Sequence, residues 1–443
     1  MIINVPDFAQ HAIELLEKNG YEAYCVGGCV RDSLIGKEPY DWDICTNALP
    51  SDMQEVFSDC RTIETGLKHG TLTVIIDRNA VEITSYRSDG NYADHRRPQS
   101  VEFISDLKGD LERRDFTINA MCYNPKQGLI DIFGGANDLD KKIIRCVGEP
   151  RKRFEEDALR ILRAIRFASV LGFELEKNTK ESVFAEKELL RCISAERIFS
   201  ELKKLVCGKD AAEILLEYGE VIGVFIPEIL QCIGFRQNNP HHCFTVWEHI
   251  CRSVGYCRPE PAIRLTMLLH DIAKPKMAVT DENGVDHFKK HQFAGAEISA
   301  EILHRLHCDN MSLRYIHDLI YEHDNRIPAE RKAVKRFISK YSFDFFMDYL
   351  EVRRADTYAQ SDYKKAEKLK NLDELALIAF ELDAENACMK ISDLDADGND
   401  LIELGLSGRE IGSALDRILE AVISEEIINN REEILKYVRD VIL

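Results

Sequence analysis

The chain has 443 residues, 45% hydrophobic and 30% charged, with a formal net charge of −19. That length allows two to four domains, each burying its own core, in an ordinary soluble composition. No apolar run reaches the ~18 residues a membrane span needs, no basic and apolar leader opens the chain, and the 14 cysteines include no C-x-x-C pair, so we expect a cytoplasmic protein with reduced thiols and no membrane association.

From the amino terminus, "MIINVPDFAQHAIELLEKNGY" reads as a short amphipathic helix ending at Gly20. Residues 22–132 alternate short β-rich runs ("EAYCVGG", "DWDICT", "TLTVIID", "AVEITSYR") with the helical "SDMQEVF" and "TINAMCY", which suggests one mixed α/β domain. If "DWDIC" is a strand, Asp41 and Asp43 project from one face, because side chains alternate with period two. Two carboxylates so placed can share hard divalent cations. Mg²⁺ prefers oxygen ligands and commonly joins one or two carboxylates to substrate phosphates. Glu82, in "VEITSYR", is the candidate third acid. Upstream, "GGCVRD" offers Gly27 and Gly28, whose backbone N–H groups can approach a phosphate closely, with Arg31 placed to clamp it. D-x-D alone is equally the pattern of a solvated turn; the combination is far more specific.

The acidic balance discourages a nucleic-acid partner, but its distribution does not: residues 141–166 hold nine Lys/Arg against four Asp/Glu. After about residue 150 the pattern is almost wholly helical. "EDALRILRAIRFASVLGF" sets Leu159, Leu162 and Ile165 near one stripe, and "AERIFSELKKLV" continues the habit. Pro240 and the histidine-rich segment after it mark a further boundary, and a last helical region begins near residue 331. Within it, "DLDADGNDLIEL" resembles a calcium loop only superficially. Counting from Asp393, its twelfth position is Leu404 rather than a bidentate Glu, so we read a turn capping a helix that begins near Leu401.

Taken together, "GGCVRD…DWD", "GLKHGT" (66–71), "RRDFTINA" (113–120), "EDALRILRAIRFA" (156–168) and "DLIELGLSGREIG" resemble, in order and spacing, the bacterial-type tRNA nucleotidyltransferases, meaning the CCA-adding enzymes and bacterial poly(A) polymerases. The resemblance implies an α+β chain: a nucleotidyltransferase head with a mixed sheet, then helical neck, body and tail. It implies that Asp41 and Asp43 hold the Mg²⁺ ions that activate a tRNA 3′-hydroxyl and stabilise the leaving pyrophosphate, with Glu82 as third acid, and that Gly28, Arg31 and Arg114 hold the triphosphate of CTP or ATP. Complete CCA addition, A-addition alone and poly(A) synthesis share these head motifs. The polar segment "SDGNYADHRRP" (88–98) suits a mobile lever and, in the family, a switch to ATP, which weighs against a CC-only enzyme.

On one helix, Asp157 and Arg160 would be neighbours three apart, with Arg163 and Arg166 continuing the stripe. Cytosine and adenine each present an amino donor beside a ring-nitrogen acceptor, whereas uracil and guanine present the reverse. An ionised Asp only accepts and an Arg only donates. The pair would therefore take C or A, the role that the resemblance also implies.

"VWEHI" (His249), "LLHDIAKP" (His270, Asp271), "KKHQFAGAEI" (His291) and "YEHD" (His323) resemble the HD phosphohydrolase pattern, in which helices contribute His and Asp to one or two metals. An adjacent His-Asp on an apolar helix is costly to bury unless paired or metallated. This implies a second divalent metal site acting on phosphate esters such as 2′,3′-cyclic ends. The expected division is a head over 1–148, an RNA-binding neck over 149–238, an HD domain over 239–330 and a tail over 331–443. The competing reading is an HD phosphohydrolase whose head merely binds nucleotide.

Overall fold

The alternating apolar residues around Ile44, Leu72 and Ile83 leave one side of each strand able to enter a core, and these runs form the centre of a seven-stranded sheet. The computed structural model describes residues 2–89 and 101–443, in two units, Met1–Leu230 and Gln231–Leu443. In the first unit the strands are β1 (Ala23–Val26), β2 (Asp43–Thr46), β3 (Arg61–Ile63), β4 (Thr71–Ile76) and β5 (Asn79–Ser85), a separate hairpin pair β6 (Arg87–Asp89) and β7 (Val101–Phe103), then β8 (Met121–Asn124) and β9 (Gly128–Asp131). The sheet order is β3-β4-β5-β2-β1-β8-β9. Strands β2 and β5 run parallel while their neighbours pair antiparallel, so the sheet is mixed, as expected. The polar segment 88–98 starts in β6, and residues 90–100 lie outside the described residues.

Helices α1 (Asp7–Lys18), α2 (Gly28–Leu34), α3 (Pro50–Val56), α4 (Leu107–Glu112) and α5 (Gly135–Asp140) accompany the sheet. Register sets Ile44, Ile83 and Leu72 side by side across β2, β5 and β4 on one face. Helix α1 packs over these strands with Ala9, Ile13 and Leu16 buried. The other face is a cluster of Tyr24, Val26, Cys45, Tyr86, Leu111 and Cys122. Period-two alternation puts Asp43 on this second face, beyond Cys45. The run "TINAMCY", expected to be helical, is instead a 3₁₀ turn over Thr117–Asn119 followed by β8. All four residues of β8 are buried, and a strand covered on both faces loses the alternation that would mark it as a strand.

The rest of the first unit is helical: α6 (Pro150–Glu156), α7 (Leu159–Leu171), α8 (Lys177–Ala185), α9 (Ala195–Val206), α10 (Ala211–Glu217) and α11 (Gly219–Ile222). Helix α7 packs on α9 through Leu162, Ile165 and Leu202, all fully buried.

In the second unit, α12 (Val246–Tyr256), α13 (Pro261–Leu269), α14 (Lys274–Met277), α15 (His291–Arg305), α16 (Asn310–Glu322), α17 (Arg331–Lys340), α18 (Phe343–Tyr358) and α19 (Lys365–Ala384) follow one another, with α12, α13, α16 and α18 packed together. A smaller core of Leu401, Leu406, Ile418, Val422, Ile434 and Val438 gathers α20 (Gly398–Glu403), α21 (Arg409–Ile423) and α22 (Arg431–Tyr437). The cap of α20 is Asp397, whose carboxylate accepts from the N–H groups of Asn399 and Asp400, so this helix starts three residues before the expected Leu401. Among the described residues no helix is long and apolar enough to cross a membrane.

Candidate active site

Parallel pairing of β2 and β5 makes Asp43 and Glu82 register partners, and Thr73 of β4 continues the row. Strand β2 begins at Asp43, so Asp41 lies just ahead of it. Asp41 is exposed and Trp42, between the two acids, is buried. Burial, with Asp41 and Glu82 beside it, pushes the Asp43 carboxyl up to about 6, against the pull of Arg114. The three acids do not converge as tightly as a preformed ligand set. The groups of His, Cys, Asp and Glu whose ligand atoms all lie within 4.8 Å of one another, among the described residues, are in the second unit. A set of hard oxygen ligands carrying unneutralised charge fits Mg²⁺.

The chain turns from β1 into α2 at Gly27, whose φ of +80° disfavours any side chain, and a Cβ there would sit 3.1 Å from Arg114 Nη1. Gly28 opens α2. Arg114 donates to Asp110 at 3.2 Å while its buried Nε finds no acceptor. Burial pushes Asp110 up, but Arg114 and Arg113 outweigh it and hold the carboxyl below its usual range. Arg31 forks onto Asp32 at 2.8 and 2.9 Å and donates to Asn119 Oδ1 at 2.7 Å. Asn119 in turn donates to Asp115 at 3.0 Å, and Asp115 accepts from Arg163 Nε at 2.8 Å. Arg31, Arg163 and Arg166 surround the Phe167 ring at 5.1, 5.4 and 3.5 Å. Arg166 also pairs with Glu201 at 2.8 Å. A continuous polar chain thus runs from the glycine turn to α7 and α9.

Asp157 and Arg160 do not share a helix. Asp157 is extended (φ −135°, ψ 102°) and ends α6, and α7 starts at Leu159. The reason is local: Asp157 Oδ1 accepts from the N–H of Leu159 at 3.1 Å, the habit of a capping Asp, and Oδ2 accepts from Arg197 at 2.9 Å. Arg160, largely buried, donates to Glu156 at 2.8 Å and to the carbonyls of Arg153 and Arg113 at 3.2 and 2.8 Å. Asp115, Asn119 and Glu201, which hold these arginines, were missed from sequence. In "RRDFTINA" the i,i+4 spacing of Asp115 and Asn119 was the available signal.

The second unit gathers all five expected ligand residues. His249, His270, Asp271 and Asp356 form one group, and Asp271, His291 and His323 the other. Each imidazole turns Nδ1 to a backbone carbonyl: His249 to Ala359 at 3.1 Å, His270 to Met267 at 2.8 Å, His291 to Phe288 at 2.8 Å and His323 to Ile320 at 2.6 Å. A carbonyl only accepts, so Nδ1 carries the hydrogen and Nε2 points inward with its lone pair. The inward atoms meet in pairs, His249 with His270 and His291 with His323, each at 3.2 Å. The Asp271 carboxylate is buried, with Lys274 Nζ 2.6 Å and His249 Nε2 3.1 Å from Oδ2, and His291 Nε2 3.2 Å from Oδ1. Facing lone pairs round a buried carboxylate fit two divalent cations with Asp271 common to both. Asp356 was missed because it is one of several acids in α18, and nothing local distinguishes it.

Three family models match the chain: the Poly A polymerase head domain over residues 23–145, an RNA and SrmB-binding site of polymerase A over 172–231, and tRNA nucleotidyltransferase domain 2 over 293–438. A CCA-adding enzyme of Geobacillus thermodenitrificans is 46% identical over 220 residues, covering 49% of this chain and 54% of that one. The chain thus spans about half the length of that curated relative. The crystal structure of a Bacillus stearothermophilus CCA-adding enzyme in complex with CTP superposes with a TM-score of 0.72 at 28% identity, covering 98% of this chain and 96% of that one. A CCA-adding enzyme of Geobacillus stearothermophilus is 47% identical over 275 residues, 60% of this chain and 68% of its own. Likeness of that depth over two thirds of a relative goes beyond a shared fold, and the chain belongs to the CCA-adding enzyme family.

Proposed function

We propose that this protein adds C, C and A to the 3′ end of tRNA, without a template, from CTP and ATP and with release of pyrophosphate. The observation that carries the reading is the row of Asp43 and Glu82 on adjacent parallel strands, with Asp41 and Arg114 within electrostatic reach. Asp41, Asp43 and Glu82 would hold Mg²⁺, which supplies charge neutralisation at the triphosphate and lowers the pKa of the terminal hydroxyl of the tRNA. The Gly27–Gly28 turn leaves room for the triphosphate, Arg114 donates to it, and Arg31, fixed by Asp32 and Asn119, flanks it. Asp157 and Arg160 present an acceptor and a donor to the edge that C and A share. Their fixed partners, Arg197 and Glu156, hold them in place. The relatives named as CCA-adding enzymes and the neighbour solved with CTP support the choice of product and nucleotide. The test is a set of tRNAs ending before C, after C and after CC, each given CTP, ATP or both. Full extension only with both nucleotides supports CCA addition, A-addition confined to the CC-ending substrate indicates an A-adding enzyme, and long adenosine tracts indicate a poly(A) polymerase.

A second reading concerns the other unit, carried by the paired Nε2 atoms around Asp271. The His/Asp cluster would hold two divalent metals and hydrolyse phosphate esters independently of the head. We retain the four-part division of head (1–148), neck (149–238), HD region (239–330) and tail (331–443), with Asp356 of α18 joining the HD ligands from the tail.

A further inference from the structure

Two cavities adjoin in the second unit. One, of about 320 Å³, opens onto Asp271, His291, His323 and Asp356. The other, of about 440 Å³, has Ile327, Leu372 and Leu375 in its wall. They share four residues, His241, Arg326, Arg353 and Lys368. Three of these are cations, and they stand where a molecule seated at the ligand cluster would pass from one space to the next.

Arg326 is exposed, but Arg353 and Lys368 are not simply solvated. Arg353 donates to the His323 carbonyl at 2.9 Å and leaves a buried Nε without an acceptor. Lys368 is half-buried, 3.2 Å from His241 Nδ1 and 2.5 Å from Gln360 Oε1. Burial, together with Arg326 and Arg353, lowers its pKa although Asp356 opposes this. Cations brought together at such a cost, with an unused buried donor among them, suit an anion with several acceptor oxygens. Beyond them, Ile327, Leu372 and Leu375 form an apolar patch in a wall that also carries Glu367, Lys370 and Glu374, and that patch suits a planar base.

We infer that the two cavities form one site for a nucleotide carrying two phosphate groups, one at the His/Asp cluster and the other held by Arg326, Arg353 and Lys368. This rests on the phosphate-ester hydrolase reading of the cluster. The first phosphate is the one cleaved. Water adds to phosphorus, the ester P–O bond breaks, and the proton lost by the water ends on the departing oxygen, so nothing beyond water is consumed. The second phosphate is not cleaved and serves as the handle. A free nucleoside bisphosphate and the last nucleotide of an RNA ending in a 3′-phosphate both offer this chemistry.

The test uses the full chain loaded with Mn²⁺ and follows phosphate release from adenosine 3′,5′-bisphosphate, 5′-AMP and 3′-AMP. The bisphosphate should be favoured in kcat/KM over either monophosphate by about tenfold or more. In the double variant Arg326→Gln/Lys368→Gln that advantage should collapse, with rates on the monophosphates within about twofold of wild type. Arg353 is left intact because it supports the His323 backbone, and an unchanged Mn²⁺ content shows that the variant keeps the cluster. Equal rates on all three compounds in the wild type, or an advantage that survives the double substitution, would overturn the two-phosphate site while leaving the hydrolase reading in place. Failure of the Mn²⁺-loaded wild type to hydrolyse any of them removes the hydrolase reading and this inference with it. An oligoribonucleotide ending in a 3′-phosphate, run beside the bisphosphate, identifies the source: whichever is cleaved faster, the two-phosphate site stands.

Discussion

Asp43 and Glu82 stand side by side on parallel strands, two carboxylates in direct register, with Asp41 near enough to act on Asp43. Among the described residues neither has a cation as a direct partner, and Asp43 bears the cost: burial and its two acidic neighbours raise its carboxyl from the usual 3.8 to about 6.

That rise has a sign. Between pH 3.8 and about 6 the folded protein binds the Asp43 proton more tightly than the unfolded chain does, so ionisation of Asp43 destabilises the metal-free fold as pH rises through this window. The full shift corresponds to ~3 kcal/mol, and partial exposure reduces it to ~1–2 kcal/mol. Asp43→Asn should therefore raise the Tm of the metal-free protein at pH 7.5, with the difference closing towards pH 4. Thermal melts at both pH values check this; a variant that melts lower at pH 7.5, or by the same margin at both, would contradict it. Added MgCl₂ should stabilise wild type more than the variant.

Our proposal assigns base choice to Asp157 and Arg160, although they lie on either side of a helix break. Removing either leaves a polar group of the C or A edge unpaired, at ~1–3 kcal/mol, or about 5- to 150-fold in discrimination. We expect relative kcat/KM for CTP and ATP over UTP and GTP to fall by that factor in Asp157→Ala and in Arg160→Ala. An unchanged preference in both variants would remove these residues from base selection.

The chain Arg31–Asn119–Asp115–Arg163 connects the glycine turn to α7. Asn119→Ala strips one acceptor from Arg31 and one donor from a buried carboxylate, at ~1–3 kcal/mol of stability. Urea unfolding should show this loss, and KM for CTP and ATP should rise while tRNA affinity holds. If KM is unchanged in a variant that is destabilised, the chain serves only to hold the fold together.

In the second unit, His270→Ala should lower bound Mn²⁺ or Zn²⁺, measured by metal analysis after dialysis, and abolish phosphate-ester hydrolysis while nucleotide addition continues. Metal content and hydrolysis both equal to wild type would make the cluster structural.

The readability of these features from sequence followed the range of the interactions that build them. Asp41 and Asp43 were legible because period-two alternation is set within a few residues, and the Gly27–Gly28 pair because adjacent glycines mark a close backbone approach. The helix break at Asp157 was not, since "EDALRILR" is helical by pattern on both sides and the break depends on a capping bond to Leu159 and an ion pair with the distant Arg197. Strand β8 was hidden for the opposite reason: burial on both faces erases periodicity. Asp356 reaches the His/Asp cluster only through the packing of α18 on α12 and α13, which no local spacing encodes.

The most direct measurement sets two quantities side by side for wild type, Asp41→Asn and Asp43→Asn: the rate of CTP and ATP incorporation into tRNA lacking CCA, and the Kd for that tRNA. If the carboxylate row performs the chemistry while basic side chains elsewhere hold the RNA, incorporation should fall by about a thousandfold or more with Kd within about threefold of wild type. Incorporation that persists in both variants, or a loss of tRNA affinity that matches the loss of rate, would contradict the assignment of nucleotide addition to Asp41 and Asp43.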